Sequence, residues 1–512
     1  MSEGRRQPVA AESVDAGVDR LGRIETRGID YIPENERHSS PRNIVWILTG
    51  GSITFSVIVI GWLPITFGLG WWSAVTSMVV GTAVGAALLA PMALLAPRTG
   101  TNNPVSSGAH FGVVGRIVGS VLGLLGALAF AALTVWTGGD ALVDGAHRLI
   151  GTSDGSVVRG IGYGIITFIV VAIAVLGHAN MLAVQKLMVP TVGVLMVLGI
   201  FVFAPDFDAG YRGGEYLLGS FWPTWVLAAL AACATVSSYG PFVGDWARYI
   251  SPSRASDRTL LLATGAGGFV GLGLPILFGT YTASVFQDKT AAYVTGLIDA
   301  SPTWYVLAVV VIGLVAGTAQ GCINLYGTGL DMSSIVPRLS RVQATLTIGC
   351  VAFALVYLGT FVWNAIDSVS AFLAILATIV TPWIVINAIG FVHRRGWYDP
   401  DDLQVFNRGE RGGRYWFSGG YNLRAFAAWV PASVAGILFS NTSFFTSPGA
   451  TLMGGVDIGL VVAAHLAAVL YVAMLVWMPE PAAVFGPRGP GIGGPRTAGR
   501  DEPGPAEDAT AA

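Results

Sequence analysis

Two carboxamides one helical turn apart, Gln320 and Asn324, stand in the otherwise apolar stretch GTAQGCINLYGTGLD, with the hydroxyl of Thr318 close by. Residues at i and i+4 share a helix face, and two amides there present matched donors and acceptors to a planar, amide-bearing ligand. Hydrogen bonding between packed helices is the competing reading. A second constellation, TVWTGGDALVDGAH, puts Trp136 and Asp140 four residues apart: a flat apolar plate and a proton-accepting group on one face. If the helix ends near Gly138, the same two residues mark an outer interface instead. The third is TVSSYGPFVGDWARY, in which Thr235, Ser237, Ser238 and Tyr239 precede a Gly-Pro pair, and Asp245 and Arg248 follow it. Asp245 and Arg248 at i, i+3 can pair on a helix surface, which suits a structural or gating role better than ligand binding. His465 stands alone and is read as a packing residue. The six histidines are scattered, with no nucleophile beside a base and no cluster of metal ligands, so neither an enzyme nor a metal site is indicated. Cys233, Cys322 and Cys350 lack C-x-x-C spacing and read as small packing residues.

Such groups are costly in lipid, and lipid is what the composition implies. Of 512 residues, 53% are hydrophobic and 11% charged, against about 25% charged in soluble domains. Apolar stretches long enough to cross a hydrocarbon core, about 20 residues each, recur along most of the chain, which excludes a single cleaved leader. Twelve are expected, near 44–66, 71–96, 117–142, 158–178, 183–204, 222–246, 259–285, 303–326, 343–363, 368–392, 421–443 and 456–478. With the amino terminus inside, all but Arg148, Arg159, Arg212 and Lys289 of the 28 Lys and Arg residues fall on the inner side. That asymmetry predicts two cytoplasmic termini. The net charge of −2 singles out no charged partner; nucleic acid is not expected, the bilayer is, and nothing indicates an oligomeric state.

Elements able to hold polar groups at membrane depth must be broken ones, because exposed backbone survives there only when buried or lining a wet cavity. The first span contains TGGSITFSVIVIG, with Gly50 and Gly51 side by side, then Ser52, Thr54 and Ser56. The sixth contains Thr235 to Pro241, read as its unwound middle. Interrupted spans five apart predict two inverted repeats of five helices, with a substrate site between them at the midplane. Small residues also serve close helix packing, the alternative for each break alone. The resulting organisation is a cytoplasmic segment 1–42, repeat one over 43–204, repeat two over 222–393, a terminal helix pair over 421–479 and a disordered cytoplasmic tail over 480–512.

Several segments in order, ETRGIDYIPENERHSSPRN, AHFGVVG, the VW of span three with Asp140, DWARYIS, NLYGTGL, TPW, RRGWYDPDDL and YNLRAFAAW, resemble the nucleobase cation symporter family of purine-cytosine permease type. The resemblance implies an all-α integral membrane protein with twelve transmembrane helices, a leucine-transporter-like 5+5 inverted repeat and two added helices. It implies a symporter in the plasma membrane, without a cofactor, importing a small planar heterocycle such as a nucleobase, hydantoin, allantoin or vitamin. An amino-acid transporter of the same fold is the alternative. By resemblance Trp136 stacks on the ring, Thr235, Ser238 and Asn324 fall at substrate-contacting places, and Tyr239 is the nearest replacement for a second aromatic clamp that falls at Val236; Gln320 joins the substrate contacts from its carboxamide and spacing, not from the resemblance. Gly51 and Phe55 fall where backbone carbonyls hold a sodium ion, but Ala319 and Gln320 stand where a sodium-dependent member has two threonines, leaving Thr318 as the only nearby hydroxyl, and Asp140 occupies a place where relatives often have Asn. Proton coupling through Asp140 is therefore expected, with Na+ as the other candidate ion.

Overall fold

The computed structural model describes residues 30–492 apart from 177, 337, 338, 340, 362–364 and 443. The described residues form helices and isolated bridges, with no strands. In chain order the helices used below are α1 (Pro41–Gly50), α2 (Phe55–Thr66), α3 (Trp71–Thr99), the short α4 (Asn103–Phe111), α5 (Ile117–Ile150), α6 (Ser156–Leu176) and α7 (His178–Phe203). They continue as α8 (Phe221–Ser237), α9 (Val243–Ala247), α10 (Asp257–Ser284), the short α11 (Tyr293–Ala300) and α12 (Thr303–Gly329, continuing to Ile335). The last four are α13 (Arg341–Phe361), α14 (Ala365–His393), α15 (Leu423–Ile437) and α16 (Gly459–Trp477).

Among the described residues, eight helices are long and apolar enough to cross a membrane, and α1 with α2, bent by 65°, would make a ninth. Three shorter apolar helices, Pro190–Asp206, Phe221–Ser237 and Leu423–Ile437, lie where the fifth, sixth and eleventh spans are expected.

The first break falls where the glycine pair predicts it. The Gly51 amide still reaches the Ile47 carbonyl at 2.8 Å, but Thr54 is fully extended before α2 begins. Hydroxyls take over part of the lost ladder: Ser52 Oγ donates to the Leu48 carbonyl at 2.5 Å, and Thr54 and Ser56 bond to each other at 2.8 Å.

The second break is shorter than the sequence suggests. Thr235 to Ser237, expected to be unwound, remain in α8. Thr235 Oγ1 donates back to the Ala231 carbonyl at 2.8 Å, and the Ser238 amide still reaches Ala234 at 2.9 Å. Serine and threonine tolerate a helix by such back-bonding. Only residues 238–242 leave it, as successive turns. The freed Gly240 carbonyl accepts from Asn103 Nδ2 at 2.7 Å, and the same amide group donates to Met92 at 2.9 Å. A residue of α4 thus ties the break to α3.

Glycines set how closely the broken helices approach their neighbours. A Cβ on Gly61 would lie 1.7 Å from the Ile276 carbonyl oxygen, and one on Gly279 would lie 1.9 Å from that of Ile58. Hence α2 meets α10 backbone to backbone, as small residues allow in membranes. Gly81 and Gly85 of α3 press in the same way on Ala229 and Cys233 of α8, which accounts for the small residues of LAALAACA. Cys233 and Cys322 are buried packing residues, whereas Cys350 is exposed; all three are free.

The expected tail needs correction. Residues 480–492 are not disordered: Glu480 accepts from Arg394 Nη2 and Asn422 Nδ2, both at 2.9 Å, and Val484 is fully buried. The Gly and Pro content of this segment hides two anchors, one charged and one apolar. At the other end, residues 30–40 also pack, with buried Arg37 donating to the Ile32 and Pro97 carbonyls at 2.9 and 2.8 Å. Residues 1–29 and 493–512 lie outside the described residues.

Candidate ligand site between the helix breaks

Both breaks converge on α12. A Cβ on Gly51 would lie 3.4 Å from Gln320 Oε1 and 3.2 Å from Ile323, so the α1–α2 break abuts the carboxamide face. From the α8–α9 break, the Tyr239 hydroxyl accepts from Gln320 Nε2 at 3.0 Å. Gln320 Nε2 lies 3.4 Å from Asn324 Oδ1. Gln320, Asn324, Tyr239 and Gly51, four of the residues picked from sequence, therefore form one polar cluster between three elements.

Gln320 Oε1 and Asn324 Nδ2 are buried atoms without a partner in the structure. One is an acceptor and the other a donor. A dry polar atom left unpaired costs about 1–3 kcal/mol, and further along the same helix Asp331 Oδ2 is also buried without a partner.

The other expected contacts are placed as follows. Trp136 is the only residue from Leu133 to Ala141 that is not fully buried, and its indole packs on both apolar clusters of the molecule. Ser238 Oγ donates to the Thr235 carbonyl at 2.8 Å. With the protons of Thr235 and Ser238 both spent on backbone, these hydroxyls have only lone pairs to offer. Thr318 likewise donates to Leu314, at 2.5 Å. Phe55 packs edge-on against Tyr293 with ring centroids 6.0 Å apart, and its ring borders Gly313, within a π-helical turn of α12, Ile312–Ala316. Gly51 and Phe55 thus face the stretch of α12 on which Thr318 lies. Among the described residues, no three His, Cys, Asp or Glu side chains group as a metal site.

Asp140 belongs to a separate cluster. Its Oδ1 accepts from Arg159 Nη1 at 2.9 Å and from the Tyr163 hydroxyl at 2.8 Å. Arg159 Nη2 also holds Asp144 at 2.6 Å, and Asp144 accepts from Thr295 of α11 at 2.6 Å. The Asp140 and Asp144 side chains are 4% and 7% exposed, so both charges are taken out of water. The i, i+4 spacing of Asp140 and Asp144 was legible in the sequence; their partners, on α6 and α11, were not.

Asp245 lies on α9, and Arg248, at its end, is buried with its guanidinium 5.2 Å from the Tyr249 ring centre. Asp331, a buried carboxylate near the end of α12, lies against Gly123 of α5.

The sequence pattern of the family described as permeases for cytosine/purines, uracil, thiamine and allantoin matches residues 31–463. The Bacillus subtilis (strain 168) protein named "Putative purine-cytosine permease YxlA" is 25% identical over 470 residues, covering 88% of this chain and 96% of its own. An uncharacterized permease of Schizosaccharomyces pombe is 22% identical over 437 residues, 78% of this chain and 71% of its own. Among solved structures, Mhp1, a nucleobase-cation-symport-1 family transporter, superposes in its closed, bromovinylhydantoin-bound form with a TM-score of 0.67 at 17% identity, over 91% of this chain and 97% of its own. Its inward-facing form gives 0.69 at 16% identity, over 92% and 97%. MhsT in complex with L-phenylalanine gives 0.53 at 13% identity, over 86% and 99%. The helical architecture with its two breaks is thus the fold of these transporters. The chain belongs to the family of permeases for cytosine and purines, uracil, thiamine and allantoin: it is a membrane transporter of nucleobase-like solutes, not an enzyme.

Proposed function

We propose that the chain imports one small planar heterocycle, with a proton, across the plasma membrane by alternating access, with both termini cytoplasmic and twelve spans in all. The observation that carries the substrate reading is the buried acceptor and donor, Gln320 Oε1 and Asn324 Nδ2, beside Tyr239 and the Gly51 backbone. A ligand edge with one N–H and one acceptor relieves both at once. Trp136 is assigned to stack on the ring face, where an aromatic plate adds area without using polar groups. Thr235 and Ser238 are assigned to accept from the remaining ring edge.

The proton reading is supported by charge. Two buried carboxylates, Asp140 and Asp144, share one guanidinium, Arg159, which leaves one negative charge uncompensated among the described ion pairs. Such a charge at membrane depth is expensive, and a bound proton relieves it. Asp245 and Arg248 are assigned to hold the end of the α8–α9 break as a gate or anchor.

The test is uptake into proteoliposomes of labelled nucleobases, hydantoin and allantoin, preceded by thermal-shift screening, since a bound ligand raises the melting temperature. At least one heterocycle should be taken up saturably. Gln320→Ala and Asn324→Ala should each raise the half-saturation concentration about tenfold or more, the loss of one buried hydrogen bond. Non-saturable uptake, or carriage of an amino acid in place of every heterocycle, sinks the reading.

A further inference from the structure

Arg116 immediately precedes α5 and is fully buried. Two other buried arginines show what such a group ordinarily has around it: Arg37 holds two backbone carbonyls, and Arg394 holds two carbonyls and Glu480. The Arg116 side chain donates from Nη2 to Asn407 Oδ1, and its guanidinium lies 5.3 Å from the centre of the Phe406 ring. Its Nε and Nη1 are buried without a partner. No carboxylate pairs with it among the described ion pairs. On the segment that carries Asn407, Asp399 and Asp402 hold Arg414, and Asp401 holds Arg408.

The hydrogen bonds that are made settle the sense of those that are not. A guanidinium only donates, so Asn407 faces it with its oxygen and turns its NH2 group away, where Nδ2 donates to Gln404 Oε1 at 2.5 Å. Gln404, itself buried, is then left with Nε2, another buried donor without a partner. Whichever Nη2 proton Asn407 takes, one two-pronged edge of the guanidinium stays unspent. Phe406 covers the flat face and leaves the edges open, as stacked arginines do. One asparagine thus joins two side chains, from the start of α5 and from the loop after α14, whose unspent groups are all donors. The cation among them has no counter-charge, and it stands at a helix N-terminus, which is itself positive.

We propose that Arg116 and Gln404 form a binding site for a phosphate group, free or in a lipid headgroup. A guanidinium edge matches two oxygens of one phosphate, and a further oxygen serves the Gln404 amide. The phosphate also brings the negative charge that Arg116 and the start of α5 lack. Phe406 and Asn407, which touch the guanidinium, are part exposed, so the site lies close beneath the surface of the loop.

The test is thermal unfolding of the full-length protein in a neutral, phosphate-free detergent. Inorganic phosphate is titrated in one arm, and short-chain phosphatidylglycerol, against the matching uncharged diacylglycerol, in the other. Wild type should melt higher in at least one arm, because a ligand of the folded state stabilises it. A shift with inorganic phosphate assigns a free ligand; one confined to phosphatidylglycerol assigns a lipid headgroup. Arg116→Met keeps the length of the side chain without its charge and should raise the concentration for half the shift about tenfold or more, the loss of a charged hydrogen-bonding partner. Gln404→Leu leaves Arg116 in place, should raise it about threefold or more, and carries the test alone if Arg116→Met does not fold. A response unchanged in the variants that fold overturns the inference, as does no wild-type response in either arm. If a response appears only in a chain ending at Ile492, carboxylates of residues 493–512 hold Arg116 instead, and the phosphate site is again overturned.

Discussion

At the scale of single residues, Trp136 and Asp140 show what i, i+4 spacing can and cannot say. It put them on one face of α5, correctly, but a face can serve two regions. Asp140 is held by α6, 19 residues away at Arg159 and 23 away at Tyr163; no local pattern announces such partners. Gln320 and Asn324 were legible because carboxamides are rare in an apolar helix, whereas the Tyr239 hydroxyl that Gln320 bonds, 81 positions earlier at the end of another helix, was not signalled by any local spacing. The Asp140 cluster carries its own prediction. If its unbalanced charge takes the coupling proton, Asp140→Asn removes the need for one: concentrative uptake driven by an inward proton gradient should be lost, while solute exchange at equilibrium continues near the wild-type rate. Both are read in proteoliposomes with the pH set on each side. Uptake that requires a sodium gradient and keeps its pH dependence in Asp140→Asn would show that the proton is carried elsewhere or not at all.

At the scale of elements, hydropathy located the apolar helices well, because each must cover its own backbone groups in lipid. The glycine pair located the first break for a related reason: Gly50 and Gly51 have no side chains to hold a helix against its neighbours. The second break was misplaced by three residues, since Thr235 can bond its own helix and stay in it. Neither α4 nor α11 was anticipated; both are short and take their place from packing against longer helices. Closeness of packing yields a sharp expectation. Gly61→Ala or Gly279→Ala pushes a methyl group into a backbone carbonyl of the facing helix, which cannot rotate aside as a side chain would. Overpacking of this kind costs about 1–3 kcal/mol or more, so both variants should melt lower in detergent. Gly193, in α7, has nothing within 4 Å of its Cβ position. Gly193→Ala should be neutral or stabilising by up to about 1 kcal/mol, the helix propensity difference. Equal melting temperatures for all three variants would mean that the α2–α10 contact is not rigid.

At the scale of the whole molecule, one buried hub ties together segments that hydropathy leaves unconnected. Arg394, following α14, donates to Glu480, to the Ala109 carbonyl of α4 and to the Val484 carbonyl, at 2.7–2.9 Å. Asn422, which caps α15, donates to Glu480 and to the His110 carbonyl. The His110 ring meets the Tyr398 hydroxyl at 3.1 Å, and burial, reinforced by the Arg394 charge, holds its pKa well below the usual histidine range. Composition concealed all of this, because a Gly- and Pro-rich segment after the last apolar helix looks like a tail whether or not one glutamate in it has a buried partner. The Arg394 and Glu480 side chains are both fully buried, so removing one leaves the other as an uncompensated charge, at a cost of about 3–5 kcal/mol. A chain ending at Ile492 keeps every contact of the hub and should melt like the full-length protein. A chain ending at Pro479 loses Glu480 and Val484 together and should melt markedly lower, with Glu480→Ala in the full-length chain reproducing most of the drop. Thermal unfolding of the three in the same detergent separates the outcomes. If the chain ending at Pro479 is as stable as the one ending at Ile492, the Arg394 charge finds another partner or water, and the segment after α16 does not help to hold α4, α14 and α15 together.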